Sequence, residues 1–317
     1  MQPTTRPSPA PALFGIFTLF CTLLLFKNVA LVTAAMSRGI ELLLHVLIPS
    51  LFPFAVLSEL LRAIPLTSTL SRLLSRPLCR LLCIGSAGGG ALLLGLLCGA
   101  PVGAQALMRA LDEKEVTKEE CERILGVATV PSAAFLIGAV GGGLFTSPAF
   151  GVLLLVAVLL SSLLCALLFA RGKGAVVPSP PRTVPPIGLS RAVTDAVRTG
   201  AKTMLTVSAF VLFFAVLSDA VALVLAGLPE ELRATVGALL ELSDGVVRTS
   251  SLAQKIPAAC LTAFAAGWSG LSVHLQVIAI CDGRGLSFTR YFLIKATEGV
   301  LCALLVLLAL CLFSSVL

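Results

Sequence analysis

The chain has few charged residues and almost no polar aromatic ones. Only 12% of its 317 residues are Asp, Glu, Lys or Arg, and it contains one Trp, one Tyr and two His. A soluble globular protein has about 25% charged residues. The low charge therefore argues against a soluble domain. The lack of a patch that mixes basic and aromatic residues argues against nucleic-acid binding.

Motifs for metal, nucleotide or nucleophilic chemistry are also missing. The ten cysteines include no CxxC pair and no His/Cys cluster with zinc spacing, and the chain has no P-loop. Cys98 has no neighbouring base at a spacing typical of a catalytic pair. The sequence therefore predicts no enzyme, no metal site and no cofactor, and it indicates that the cysteines are small packing residues.

Long hydrophobic runs are what the chain does contain. Hydrophobic residues make up 57% of it, and its mean hydropathy is +1.04. Many runs reach the ~20 apolar residues needed to cross a bilayer, and no short alternating strands of a barrel are present. The sequence predicts an all-α polytopic membrane protein embedded in a lipid bilayer. Its eight expected membrane segments are 13–33, 39–62, 88–110, 124–147, 149–171, 200–226, 256–281 and 291–317.

The connections between these segments divide the chain. Residues 64–86 carry Arg72, Arg76 and Arg80 on one helical face, which is typical of a helix in the headgroup region. Residues 228–255 are the most polar part of the second half. The predicted domains are a tail with a first membrane helix, repeat 1, a Pro-rich linker and repeat 2, over residues 1–36, 37–171, 172–190 and 191–317.

Two pairs of similar segments indicate an internal repeat. "FAVLSE" at Phe54–Glu59 matches "FAVLSD" at Phe214–Asp219, and Cys98–Gln105 aligns with Ser269–Gln276. Beyond the second pair, "DEKEVT" at residues 112–117 resembles "DGRGLS" at residues 282–287. Several matches in the same order predict two related halves.

The second pair of segments predicts two interrupted helices. Pro101 has no N–H to donate and disfavours a helical Ala100, whereas Gly270 only permits a break. A broken helix in lipid is tolerated where it lines a cavity or is buried in protein. The half-helix after each break presents free N–H groups and partial positive charge, which suits an anionic solute. We therefore expect the two breaks to meet and form one binding site for a small organic anion.

The predicted site residues are small or polar, and each has a structural alternative. Small residues also let helices pack closely without any ligand. The two Gln amides, about one turn beyond each break, suit a ligand or an interhelical hydrogen bond. The substrate-binding candidates are Cys98, Gly99, Pro101, Gln105, Ser269, Gly270, Ser272 and Gln276.

Candidates for coupling to H⁺ or Na⁺ are His274, Glu59 and Asp219. His274 could titrate near neutral pH or only hydrogen-bond within the helix bundle. An acid in a membrane helix is often functional, but Arg62 follows Glu59 by three residues, so an ion pair at the membrane interface is the alternative. Lys295 and Glu298 are expected to form another interfacial pair.

Four segments resemble a known family, the YlbJ/SpoVV type of sporulation integral membrane proteins. These carry Gate, or nucleoside-recognition, domains related to concentrative nucleoside transporters. The segments are "IPSLFPFAVLSELL" (48–61), "LLLGLLCGAPVGAQALM" (92–108), "VTKEECERIL" (116–125) and "GLSVHLQV" (270–277). The chain departs from the family at Cys98 and Ala100, where Ser and a bulkier aromatic are usual. It also departs at "GVATVP" (126–131), where an Asn-rich turn is usual.

The resemblance implies a membrane protein of an endospore-forming bacterium, in the cell membrane or outer forespore membrane, that moves dipicolinate into the developing spore. By analogy with the related transporters, the two repeats are expected to be inverted. Two alternatives stay open: an ion-coupled transporter of nucleosides, and a non-transporting component of spore cortex or spore assembly. The sequence leaves the membrane orientation open, because three predicted segments separate two basic stretches that both favour the cytoplasmic side.

Overall fold

A computed structural model describes residues 10–63, 76–77, 79–170 and 188–312 of the chain. Within these ranges the chain is helical and has no strand, which confirms the all-α prediction. Five helices in this part of the chain are long and apolar enough to cross a membrane. Most of the predicted Pro-rich linker, and Arg72 of the predicted headgroup helix, lie outside the described residues.

The N-terminal region forms two helices whose boundary differs from the prediction. Helix α1 spans Ala10–Lys27. Helix α2 is continuous through an α-helical part Val29–Leu42, a π-helical turn Leu43–Leu47 and a second α-helical part Ile48–Ala63. The expected break between residues 33 and 39 is therefore wrong. The π-helical turn ends two residues before Pro49, which has no N–H to donate to the preceding turn. The hydrogen bonds of the helix therefore take the wider π-helical spacing there, and the helix continues.

Helix α2 packs antiparallel against a long helix in the second half of the chain. That helix, α8, spans Leu189–Val224, so it begins inside the predicted linker. A Cβ on Gly39 would lie 2.9 Å from Leu212 Cδ2, and one on Gly200 would lie 2.9 Å from Val56 Cγ2. Residue numbers rise along one helix as they fall along the other. The FAVLSE motif on α2 and the FAVLSD motif on α8 therefore run in opposite directions.

The predicted span 88–110 is a helical hairpin, which corrects the expectation of a membrane crossing. Helix α3 spans Ser86–Cys98 and helix α4 spans Ala100–Asp112. A Cβ on Gly103 would lie 2.7 Å from Gly95 Cα, whereas eight residues of continuous helix would separate them by about 12 Å. Each arm has 13 residues, about 20 Å of helix, which is too short for a hydrocarbon core of about 30 Å. This first hairpin therefore reverses the chain at its tip, Gly99, and neither arm is long enough to cross a membrane.

A second hairpin forms within the polar region 228–255. Helix α9 spans Glu230–Leu240 and helix α10 spans Leu242–Ser250, with the extended residue Glu241 between them. A Cβ on Gly245 would overlap the Cα of Ala238, so the two arms lie side by side. The region predicted as a polar connection thus contributes a second tip to the protein interior.

A broken helix and then a long apolar helix follow each hairpin. The first broken helix consists of α5, Lys118–Ile124, and the π-helical α6, Phe135–Leu144. The second consists of α11, Lys255–Trp268, and α12, Gly270–Cys281. The long helices are α7, Pro148–Cys165, extended by a π-helical turn Ala166–Ala170, and α13, Thr289–Leu312. The predicted span 124–147 is therefore interrupted by non-helical residues.

The two aligned glycine-containing segments are neighbours and are not equivalent in the fold. Cys98–Gln105 forms the tip of a hairpin, whereas Ser269–Gln276 contains the break in a helix that continues across the protein. Arg284, after α12, donates to both carboxylate oxygens of Asp112, at the end of α4, at 2.8 and 2.6 Å. The half-helices α4 and α12 thus end at the same surface. The sequence alignment placed the two segments at matching positions of two repeats, whereas the structure places one in a hairpin and the other in a continuing helix.

Candidate functional site at the hairpin tips

Each hairpin tip packs against the break of the helix that follows it. Gly99 has φ 98° and Gly270 has φ 77°, conformations that favour glycine. A Cβ on Gly99 would lie 3.2 Å from the backbone N of Ser132, in the first broken helix. A Cβ on Gly270 would lie 2.7 Å from the backbone N of Leu242, at the second tip. The interrupted backbone segments therefore meet in two pairs inside the protein.

A small cavity of about 60 Å³ lies between these segments. Such a space has room for a few waters or a small ion, but small-molecule sites measure about 300–1,000 Å³. Both tips, the first break and α12 contribute to its walls. The lining residues there are Gly99, Ala100, Pro101, Pro131, Ser132, Glu241, Leu242, Ser243, Val273 and Gln276, and Phe135 and side chains of α2 and α8 complete it.

A larger cavity of about 480 Å³ adjoins the small one. Helices α2, α6 and α10 line it, and Phe135 and Ser243 border both cavities. Its walls are mostly apolar, with His45, Ser50 and Ser243 as the polar side chains. This volume and composition are typical of a small-molecule site.

Glu241 is a candidate site residue that the sequence interpretation missed. Its side chain is fully buried, at 0% exposure, and it lines the small cavity. Its Oε2 accepts a hydrogen bond of 2.6 Å from the backbone N–H of Asp244, which caps α10. Oε1 has no hydrogen-bond partner within the part of the chain that the structure describes. The sequence signal was an acid three residues before Asp244, a typical helix start, but it stood in a region interpreted as a polar connection.

The structure brings some of the predicted binding residues to the small cavity. Gly99, Pro101 and Gln276 line it, and the Gln276 amide donates to Ser272 Oγ at 3.3 Å. Gln105 instead donates to Thr203 Oγ1 on α8 at 3.1 Å, which is the helix-packing alternative. Four of the predicted binding residues line neither cavity, although each lies next to a lining residue or at a break: Cys98, Ser269, Gly270 and Ser272.

The three predicted coupling residues lie away from both cavities. His274 is fully buried, its Nδ1 is 2.8 Å from the Tyr291 hydroxyl, and the ring of Trp268 packs edge-on against it. It is not among the residues that line either cavity. Glu59 and Asp219 instead form ion pairs with arginines of the hairpins. The side chain of Arg62, the partner expected for Glu59, lies outside the described residues.

The expected Lys295–Glu298 pair exists, and it is buried inside the protein. Both side chains have 0% exposure, and Lys295 Nζ lies 2.9 Å from Glu298 Oε2. Lys295 also donates to the backbone carbonyl of Thr129 at 3.1 Å. Thr129 belongs to the first break, so this ammonium satisfies a carbonyl that the interrupted helix leaves without an intrahelical donor.

The ion pair between Asp112 and Arg284, outside the membrane-spanning segments, shifts the pKa values of both side chains. The Arg284 guanidinium, hydrogen-bonded to Asp112, holds the pKa of that carboxyl below its ordinary value of 3.8. The same contact raises the pKa of Arg284. The loop after α12 is therefore tied electrostatically to the base of the first hairpin.

Comparison with known proteins gives one informative match. The chain is 28% identical to the "Sporulation integral membrane protein YlbJ" of Bacillus subtilis (strain 168), over 93% of this chain and 82% of that protein. No protein-family model matches the chain, and no solved structure matches it. The similarity extends over both hairpins and both broken helices.

Proposed function

We propose that this chain, a sporulation membrane protein of the YlbJ type, is a secondary transporter of a small organic anion. The observation that carries this proposal is the meeting of two hairpin tips and the first helix break around one cavity. Dipicolinate is the substrate that the family resemblance implies, and the outer forespore membrane is the location that it implies. Binding and release, without chemical conversion, are the activity proposed.

The energetics of interrupted backbone support a solute site. Each unpaired backbone group costs several kcal/mol in hydrocarbon, so interrupted helices are retained where they line a cavity or are buried in protein. Helices α4 and α10 both begin at the small cavity, so the positive ends of their dipoles lie there. Ser243, in the first turn of α10, also borders the larger cavity. An anion in the larger cavity would lie at the positive end of this helix.

The chain topology supports alternating access. The order hairpin, broken helix and long apolar helix occurs twice, and the helices that carry FAVLSE and FAVLSD pack antiparallel. We interpret this as a pair of inverted repeats, the arrangement by which many secondary transporters expose a central site to each side in turn.

A nucleoside is the second candidate solute. The walls of the larger cavity are mostly apolar and include Phe54 and Phe135, which suits the face of a neutral aromatic base. Glu241, at the adjoining cavity, is an acceptor for sugar hydroxyls. These features favour a neutral solute more than a dianion. The uptake measurement therefore includes a nucleoside.

Uptake into liposomes tests the proposal. The purified protein is reconstituted, and entry of labelled dipicolinate and labelled uridine is measured under pH and Na⁺ gradients. Gly138 lines the larger cavity, and no atom of the described residues lies within 4 Å of a Cβ there. Gly138→Leu should therefore place a side chain in the cavity and strongly reduce saturable uptake. Gly227→Leu is the matched control, because that glycine is equally uncrowded but lines neither cavity.

The outcomes separate the candidate functions. Saturable dipicolinate uptake that Gly138→Leu strongly reduces and Gly227→Leu preserves would support the organic-anion proposal. Uptake of uridine alone would favour the nucleoside candidate. If folded protein takes up neither solute, the proposal fails, and the non-transporting role in spore cortex or spore assembly takes its place. Close backbone contacts of Gly95 and Gly103 with the Ala128 carbonyl would then be helix packing alone.

A further inference from the structure

The second hairpin tip holds a buried carboxylate, that of Glu241, and no described residue that lines the small cavity carries a positive charge. Glu241 Oε2 accepts from the Asp244 N–H, and Ser243 also contributes hydrogen bonds to this carboxyl group. The side chain has 0% exposure, and Oε1 has no hydrogen-bond partner at the distances of a normal bond among the described residues. A buried ionised group is costly unless a counter-charge and hydrogen bonds surround it. The hydrogen bonds from Asp244 and Ser243 compensate for only part of that cost, because none of these donors carries a positive charge. A cationic occupant, or a proton on the carboxyl itself, would compensate for the rest.

The neighbouring charges do not supply that counter-charge. Asp244, on the same hairpin, is an acid and raises the cost of a second negative charge. Arg248 is bound to Asp244 and to Asp219. Of the described residues that line the small cavity, Glu241 is the only one with a titratable side chain. The electrostatics of this tip thus favour an added positive charge.

We infer that Glu241 is the site of a monovalent cation, a proton or Na⁺, at the tip of the second hairpin. The cavity beside it, about 60 Å³, is large enough for an ion and too small for an organic solute. Oxygen-bearing side chains from three other positions line the same space: Ser132, Ser243 and Gln276. Oxygen ligands are those that hard cations prefer.

The position of this site couples the cation to the solute. Ser243 and Phe135 border both cavities, so a cation at Glu241 lies next to the solute space. A bare carboxylate there would repel an organic anion, and a bound proton or Na⁺ removes that repulsion. This coupling role rests on the proposed transport function, whereas binding of the cation at Glu241 does not.

Trp268 gives a direct readout of binding without transport. It is the only tryptophan in the chain, and its Nε1 donates to the Leu239 carbonyl, two residues before Glu241, at 3.1 Å. The purified full chain in nanodiscs, with no solute, is titrated with NaCl against choline chloride at constant ionic strength, and separately with acid. We expect a saturable change in tryptophan fluorescence in one of the two titrations.

Glu241→Gln should abolish that change. The Gln amide keeps an oxygen that accepts from the Asp244 N–H, so the cap of α10 is retained while the charge is lost. Glu231→Gln is the matched control, because Glu231 is an exposed acid on the first arm of the same hairpin. Circular dichroism and a monodisperse elution profile confirm folding. If Glu241→Gln does not fold, Glu241→Asp replaces it and should shift the midpoint of the titration.

The titrations decide between occupants and can overturn the site. A Na⁺ response lost in the variant identifies Na⁺, and a pH response lost in the variant without any Na⁺ response identifies a proton. No response in the native chain, or the same response in Glu241→Gln, overturns the inference. Cation binding without liposome uptake of either solute would retain this site and reject the transport proposal.

Discussion

Arg109 of the first hairpin donates two hydrogen bonds to the Glu59 carboxylate of helix α2, at 2.8 and 3.0 Å. Arg248 of the second hairpin forms the corresponding ion pair with Asp219 of helix α8, at 2.5 Å. Glu59 and Asp219 are the last residues of the FAVLSE and FAVLSD motifs. In each half of the chain, the acid that ends the repeated motif therefore anchors a hairpin to a long helix. Arg38 of α2 also contacts Asp219 and links the two halves.

Removal of one hairpin anchor should destabilise the protein. Arg109→Gln removes the charged partner whose Nη1 donates to both oxygens of the partly buried Glu59 carboxylate. We expect a loss of about 1–2 kcal/mol, reduced by solvent at the exposed side of the pair. Thermal unfolding in detergent measures it. The control is Arg191→Gln, because the exposed Arg191–Asp195 pair on α8 should contribute less than about 0.5 kcal/mol. Equal losses in the two variants would contradict the anchoring role.

Gly270→Ala should destabilise the contact between the second break and the second tip. The residue has φ 77°, and its new Cβ would lie 2.7 Å from the backbone N of Leu242, which has no flexible end that can move away. Strain of this kind costs about 1–3 kcal/mol. Gly138→Ala, which meets open space, should change the unfolding temperature little. A mild effect of Gly270→Ala would indicate that the tip moves freely relative to the break.

Breaking the buried ion pair should cost more than removing it completely. Lys295→Met leaves the Glu298 carboxylate buried without its counter-charge, and such losses reach about 3–5 kcal/mol. The double variant Lys295→Met/Glu298→Leu removes both charges and should recover part of the stability. It still leaves the Thr129 carbonyl without its Lys295 donor, so recovery should be incomplete. Comparison of the three proteins by thermal unfolding tests this order, and a double variant as unstable as the single one would refute it.

The Asp112–Arg284 pair predicts a pH-dependent contribution to stability. Because folding lowers the pKa of Asp112, the pair stabilises the fold at pH values above the ordinary pKa of 3.8. That contribution is lost as the pH falls through the lower pKa of the folded state. The difference in unfolding temperature between the native chain and Arg284→Gln should thus be largest near neutral pH and vanish in acid. It should also shrink in high salt, because the pair is exposed.

Glycine and proline in the sequence located the interruptions, but they did not define their geometry. Gly99 before Ala100-Pro101, and Ser269-Gly270, are both positions where the helix ends and a new one begins. One interruption reverses the chain and the other lets it continue. Each of the two aligned segments begins a half-helix, and the two half-helices end at the same surface, where Asp112 meets Arg284.

The candidate site was also predictable only in part, because tertiary packing decides which polar side chains are buried. Gly99, Pro101 and Gln276 were identified from local sequence and line the small cavity. Glu241 was not, because an acid in a polar stretch is normally exposed to solvent, and only the hairpin carries it into the interior. Lys295 and Glu298 were recognised as a pair from their spacing, but their complete burial depends on the packing of α13 against other helices.

The sequence alone determined the class of protein, the interruptions at Gly99 and at Ser269-Gly270, and the acid that ends each repeated motif. These properties depend on residues close together in the chain. They follow from the length of an apolar run, from a proline that has no N–H to donate, and from a six-residue motif that occurs twice with five identical positions. Tertiary structure alone decided which interruptions are hairpin tips, which tip meets which break and which carboxylate is buried. Those outcomes depend on backbone torsions at one or two residues and on contacts between residues far apart in the chain, which local patterns do not encode.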